Sequence, residues 1–247
     1  MIKEALKYIA GLKAESMEPK IVEIGGKTYC DKDLTRYHVF DKAAELDVNT
    51  LTGLIDYIKG KGEELRDSMI LHIISPTRVR LYSGLIDERN REYLMESTAI
   101  VNEFSFDRFY DQERFIIELQ ANFIETDDLK VLKTVSGNIQ NGTTVNYSDD
   151  GTSQKTTINT GIANKADIVV PNPVRLKPYR TFAEVDQPES NYVFRISEQN
   201  DDKKTPIFKL VEADGGLWKN EAMQNIKKYL EVELKEEIVK HNITIIA

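Results

Sequence analysis

Residues 69–101 read MILHIISPTRVRLYSGLIDERNREYLMESTAIV, and this stretch decides the fold. MILHIIS (69–75) is apolar over one strand's length and stops at Pro76, so it reads as a buried strand. TRVRLYSGL (77–85) alternates, as a half-buried strand does. EYLMESTAIV (92–101) supplies a third run, and the three predict an antiparallel meander.

Helical patterns surround the meander. Ile2, Ala5, Leu6, Ile9 and Leu12 share one helical face, which predicts a short helix to about Ala14. KIVEI and KTYCD around Gly25-Gly26 predict a hairpin. Upstream of the meander, Leu51, Leu54, Ile55 and Ile58 predict a helix capped by Asn49. Downstream, Phe115, Ile116, Leu119 and Phe123 mark a helix from near Asp111. Thr126 is placed to cap the next one, along Leu129, Leu132 and Val135. NYVFRIS (191–197) and PIFKLVE (206–212) predict two strands. Asp214-Gly215-Gly216 breaks the chain before a helix over about 217–240, buried through Ala222, Met223, Ile226, Leu230 and Leu234, and ITIIA closes as a strand. The expectation is an α+β fold, mostly antiparallel sheet with about five helices. No internal repeat or long linker interrupts it, so 1–247 reads as one domain, and a sub-division, if there is one, is expected near residue 137.

Between these elements lies NGTTVNYSDDGTSQKTTINT (141–160), with six threonines and only Val145, Tyr147 and Ile158 as large apolar or aromatic side chains. β-branched content on either side of Asp150-Gly151 predicts a hairpin arm over 138–165. Too few apolar groups line it to form a core layer, and an isolated hairpin is marginal in water. Its open edges suit a neighbouring strand, so Val145, Tyr147 and Ile158 are expected at a homo-oligomer contact. The segment that follows, VVPNPVRLKPYRTFAEVDQP (169–188), holds four of the seven prolines and reads as extended chain.

Composition excludes several classes. The net charge of −8 argues against generic nucleic-acid coating. The single cysteine, Cys30, favours a reducing compartment, and no stretch resembles a signal peptide or a membrane helix. A soluble cytoplasmic protein is expected, and the Asn-x-Ser/Thr triplets at Asn141, Asn146 and Asn242 read as chance. His38, His72 and His241 lack metal-ligand spacing, and His72, in an apolar strand, reads as a core histidine. Carboxylates beside Cys30 would raise its pKa, against a nucleophilic role. No motif calls for a cofactor, a metal or catalytic residues.

The strongest candidate site is Arg175, Lys177, Arg180 and Arg195, with Glu184, Asp186 and Glu189 close by in sequence. Extended geometry puts Arg175 and Lys177 on one face, from which they could grip phosphates or carboxylates. The competing reading is an internal salt-bridge network that fixes the proline segment to the sheet.

YCDKDLTRYHVF (29–40), LTGLIDYIKG (51–60), VRLYSGLIDERNREYL (79–94), VPNPVRLKPYRTFAEVDQPESNYVFR (170–195) and EADGGLWKNEAMQNIKKYLE (212–231) together resemble the YfdQ-like family of uncharacterised tailed-phage and prophage proteins. The resemblance implies a phage or prophage origin in a bacterial host and carries over no catalytic residues. The functional expectation is a non-enzymatic intracellular binding protein, homo-oligomeric, acting on a host or defence factor or a small ligand. A self-assembling ring or shell protein is the alternative, and an enzyme of phage nucleic-acid metabolism comes third.

Overall fold

The computed structural model describes residues 2–33, 43–60, 65, 68–86, 89–139, 153–159, 165–200 and 205–247, the side chains of 153–159 and 165–169 excepted. The chain divides into two compact units, Met1–Lys42 and Ala43–Ala247.

The first unit is a helix, α1 (Ile2–Met17), followed by a hairpin of β1 (Ile21–Ile24) and β2 (Lys27–Cys30). Gly25 and Gly26 turn the hairpin at φ +61° and +74°, a left-handed geometry that a side chain would strain. Lys32 Nζ donates to the carbonyls of Ser16 and Glu18 and satisfies the end of α1. No side chain of α1 is buried.

In the second unit the meander forms as expected: β4 (Met69–Ser75), β5 (Arg78–Ser83) and β6 (Tyr93–Thr98) are consecutive antiparallel neighbours. Two further strands, β3 (Leu46–Val48) and β14 (Ile243–Ile246), pair in parallel with β6 and β4 at the two edges. The five-stranded order is β14-β4-β5-β6-β3. Met69, Leu71, Ile73, Val79, Leu81 and Met95 point to one face, where they meet α2 (Leu51–Gly60) and α5 (Trp218–Glu233). From α2 come Leu51, Leu54, Ile55 and Ile58; α5 adds Ile226 and Leu230.

The other sheet runs β7 (Tyr110–Asp111), β13 (Pro206–Glu212), β12 (Ser190–Glu198), β11 (Val174–Pro178) and β8 (Phe123–Ile124), all antiparallel. One face carries Val174, Leu176, Tyr192, Phe194, Phe208 and Leu210 against α3 (Gln112–Asn122) and α4 (Asp127–Asn138). Phe115 of α3 stacks on Phe208 and Phe194 at ring separations of 5.3 and 5.9 Å. Asp111 accepts from the Arg114 amide and Thr126 from the Leu129 amide, capping α3 and α4.

A strap over 179–187 joins the two cores. It leaves the end of β11, and Phe182 and Val185 enter the core of the mixed sheet. Thr181 Oγ1 donates to the Pro76 carbonyl at the β4–β5 turn. Gln187 folds back inside the strap: its Oε1 accepts from the amides of Arg180 and Thr181, while Nε2 donates to the carbonyls of Phe182 and Val185. Buried polar groups need such partners.

The α+β expectation holds, with five departures in detail. The C-terminal helix breaks at Leu234 into α5 and α6 (Lys235–Lys240), giving six helices among the described residues. The cap of α2 is Thr50, whose Oγ1 accepts from Gly53 N at 3.0 Å, one residue after Asn49. His72 is half-exposed, because the core side of β4 takes Met69, Leu71 and Ile73. The strand expected over 153–160 exists as β9 (Ser153–Asn159) and pairs with β10 (Lys165–Pro171), a partner the sequence reading did not assign; the expected partner strand and the Asp150-Gly151 turn lie outside the described residues. Val145 and Tyr147 lie outside the described residues, and Ile158 stands opposite Ala166. The chain's division falls after Lys42, whereas residue 137 lies within α4.

Candidate functional site

The mixed sheet packs one face on helices. Alternation puts Ile70, His72, Arg80, Tyr82, Tyr93 and Glu96 on the other face, where all but the exposed Tyr93 are partly buried. Register orders them. One row runs Thr244, Ile70, Tyr82, Tyr93; the next runs Ile246, His72, Arg80, Glu96, Asp47. A register shift between Leu81 and Tyr82 sets Tyr93 directly across from Tyr82, their ring centroids 5.1 Å apart. His72 continues the ring series at 6.3 Å from Tyr82.

Arg80 sits at the centre. Its Nε lies 3.1 Å from Glu45 Oε1, and Nη2 pairs with Glu96. Its guanidinium carbon is 5.9 Å from the Tyr82 ring centroid and 5.5 Å from that of Tyr93, within cation–π range. Burial pulls the Arg80 pKa down, but hydrogen bonds to Tyr82 and Glu96 and the charges of Glu96 and Glu45 outweigh it, and the net shift is upward. Two carboxylates and two rings therefore hold one planar, partly buried cation in a fixed pose.

The residues singled out by sequence separate into two places. Arg175 and Lys177 share the open face of the antiparallel sheet, as extended geometry requires, and Arg195 lies on the same face opposite Lys209. Arg175 aligns with Asn191, four residues before Arg195, an offset of about 13 Å along the strand. Arg175 also faces Glu189 at 3.7 Å, and its amide donates to Asp128 at the edge of the sheet. Lys209 contacts Asp107 at 2.7 Å. The strands thus put four cations, Arg175, Lys177, Arg195 and Lys209, on this face, and carboxylates from outside the strands meet Arg175 and Lys209.

Arg180 lies elsewhere. It is only 9% exposed and donates from Nη1 to Tyr192 Oη (3.0 Å) and Glu212 Oε1 (2.8 Å), and from Nη2 to Ser190 Oγ. Its guanidinium carbon stands 3.8 Å from the Trp218 ring centroid. Burial lowers the Arg180 pKa against the pull of Tyr192 and Glu212, and burial raises that of Tyr192. Geometrically this is an internal network tying the strap to β12, β13 and the start of α5. A cleft of about 240 Å³ lies beside the strap, lined by Glu184, Asp186, Lys228 and Tyr229 among others. Glu184 is already engaged by the amide and hydroxyl of Thr52 at the start of α2, and the volume is below the ~300 Å³ where ligand pockets begin. Among the described residues, no three His, Cys, Asp or Glu side chains gather as metal ligands would. No helix among them is long and apolar enough to cross a membrane.

No family model, curated protein or solved structure matches this chain. The likeness to the phage family therefore rests on the quoted segments alone.

The Arg80 group escaped the reading of the sequence. A signal for part of it was present: in TRVRLYS the residues between Val79 and Leu81 and beyond are arginine and tyrosine, on the face opposite the core. Glu45 and Glu96 reach Arg80 only through sheet pairing, which spacing along the chain does not display.

Proposed function

We propose that this is a non-enzymatic binding protein, made by a phage or prophage inside its bacterial host, which engages a protein partner through the face of the mixed sheet that carries Arg80. The carrying observation is Arg80, fixed between Glu45 and Glu96 and flanked by Tyr82 and the exposed Tyr93. Tyrosine and arginine dominate the energetics of protein interfaces. A pre-oriented arginine loses little freedom on docking, which leaves more of its contact energy as affinity. Its charge is already balanced by two carboxylates, so the face suits a mixed protein surface better than a polyanion. The phage setting rests on the resemblance of the five segments.

The test places a photo-crosslinking amino acid at Tyr93 in the full chain, expressed in a bacterial host. One discrete adduct with another polypeptide is expected, and Tyr82→Ala with His72→Ala should abolish it without moving the thermal midpoint by more than a few degrees. No adduct, or one that survives both substitutions, refutes the reading. A second reading, a self-assembling structural protein, is favoured by the exposed apolar surface of the first unit.

A further inference from the structure

We propose that the N-terminal unit is a homodimerisation element in which α1 pairs in parallel with α1 of a second copy. This goes beyond the binding role above and uses a different surface.

A free-standing helix of 16 residues is marginal in water, and helices in proteins are held mostly by packing an apolar face. Yet α1 buries nothing: Ile2 is 82% exposed, Leu6 62%, Ile9 61% and Leu12 48%. The C-terminal end of α1 is held by polar contacts to Lys32, which leave the apolar stripe uncovered. Such a stripe requires an occupant.

Two observations favour a second copy. The first is spacing. Ile2, Ala5, Ile9 and Leu12 follow a 3-4-3 rhythm, so the isoleucines take the first core position of a heptad and Ala5 and Leu12 the fourth. β-branched residues at the first position with leucine at the fourth favour two parallel strands. Leu6 and Tyr8 flank this seam and widen it. The second is area. Five large side chains on or beside the seam, Ile2, Leu6, Tyr8, Ile9 and Leu12, are exposed. At roughly 100 Å² each, two copies bring together about 1,000 Å² in total, the size at which a specific interface begins. A lipid surface is the poorer occupant, because Lys3, Lys7 and Lys13 are offset by Glu4 and Glu15, leaving little attraction for anionic headgroups.

The test uses the full chain. Sedimentation equilibrium should give twice the 28.3 kDa chain mass, and Ile9→Asp should return the single-chain mass with at least a 100-fold weaker dimer. Trp218 fluorescence should show the same unfolding midpoint in both. Independently, in a Cys30→Ser background, Ala5→Cys should oxidise to a disulfide-linked dimer, because fourth-position residues face each other in a parallel pair. Lys7→Cys, on the outer side, should not. A monomeric native chain, a dimer that survives Ile9→Asp, or equal crosslinking at both positions overturns the proposal.

Discussion

Replacing Arg180 with alanine removes the hub of the strap, and its effect can be worked from the contacts. Tyr192 is fully buried, and losing Arg180 leaves its hydroxyl without that donor, at a cost of about 1–3 kcal/mol. Loss of the guanidinium over Trp218 removes a further ~1–2 kcal/mol, since the pair is largely desolvated. Glu212, whose side chain is a third exposed, can return to water, so its loss contributes under about 1 kcal/mol. Against these stands the relief of a buried cation's desolvation. The net expectation is a loss of about 3 kcal/mol, or a fall in Tm of about 6–12 °C for a chain of this size. Trp218 is the only tryptophan in the chain, so its fluorescence in a urea titration reports the hub directly. Arg180→Met, which keeps the stem and drops the charge, should recover part of the loss. If Arg180→Ala changes stability by less than about 1 kcal/mol, the network does not hold the strap, and the reasoning fails.

Two further outcomes are expected. Burial raises the Tyr192 pKa above its ordinary value near 10, so the folded chain keeps a proton that the unfolded chain releases; stability is full below about pH 10 and falls above it, by at most ~1.4 kcal/mol per pH unit from this group. Urea titrations at pH 8 and 10.5 should show a smaller loss for Tyr192→Phe than for the native chain, and equal losses would contradict the assignment. Gly84→Ala would bring a methyl group within 2.8 Å of the Ser68 carbonyl, so a destabilisation of about 1–3 kcal/mol should appear in thermal unfolding, against almost none for Gly60→Ala, where space is open.

Periodicity carried most of the fold because the patterns for β4, α2, α4 and α5 are local and strong. Pairing was not legible, because it depends on residues far apart. The threonine-rich segment has the β propensity that its reading assumed over 153–159, yet 165–171 provides the partner strand. Arg180 was grouped with Arg175 and Lys177 by spacing, but Pro178 ends β11, and beyond it the two-residue alternation no longer applies. The break of the C-terminal helix at Leu234 has no glycine or proline to announce it. His72 was read as core because its neighbours are apolar, although on a strand only alternate residues share a face.

The parallel seat of β14 beside β4 has a consequence for synthesis. The meander is complete by Thr98, but Ile226, Leu230 and Ile243, which cover its apolar face and its edge, leave the ribosome about 130–150 residues later. At roughly 5–20 residues per second the sheet waits about 7–30 s with Leu71, Ile73 and Leu81 covered by α2 alone. Such late, long-range closure slows folding and exposes a sticky surface meanwhile. A nascent chain built this way should gain from a ribosome-associated holdase, and its yield in a host should depend on translation speed through residues 100–220.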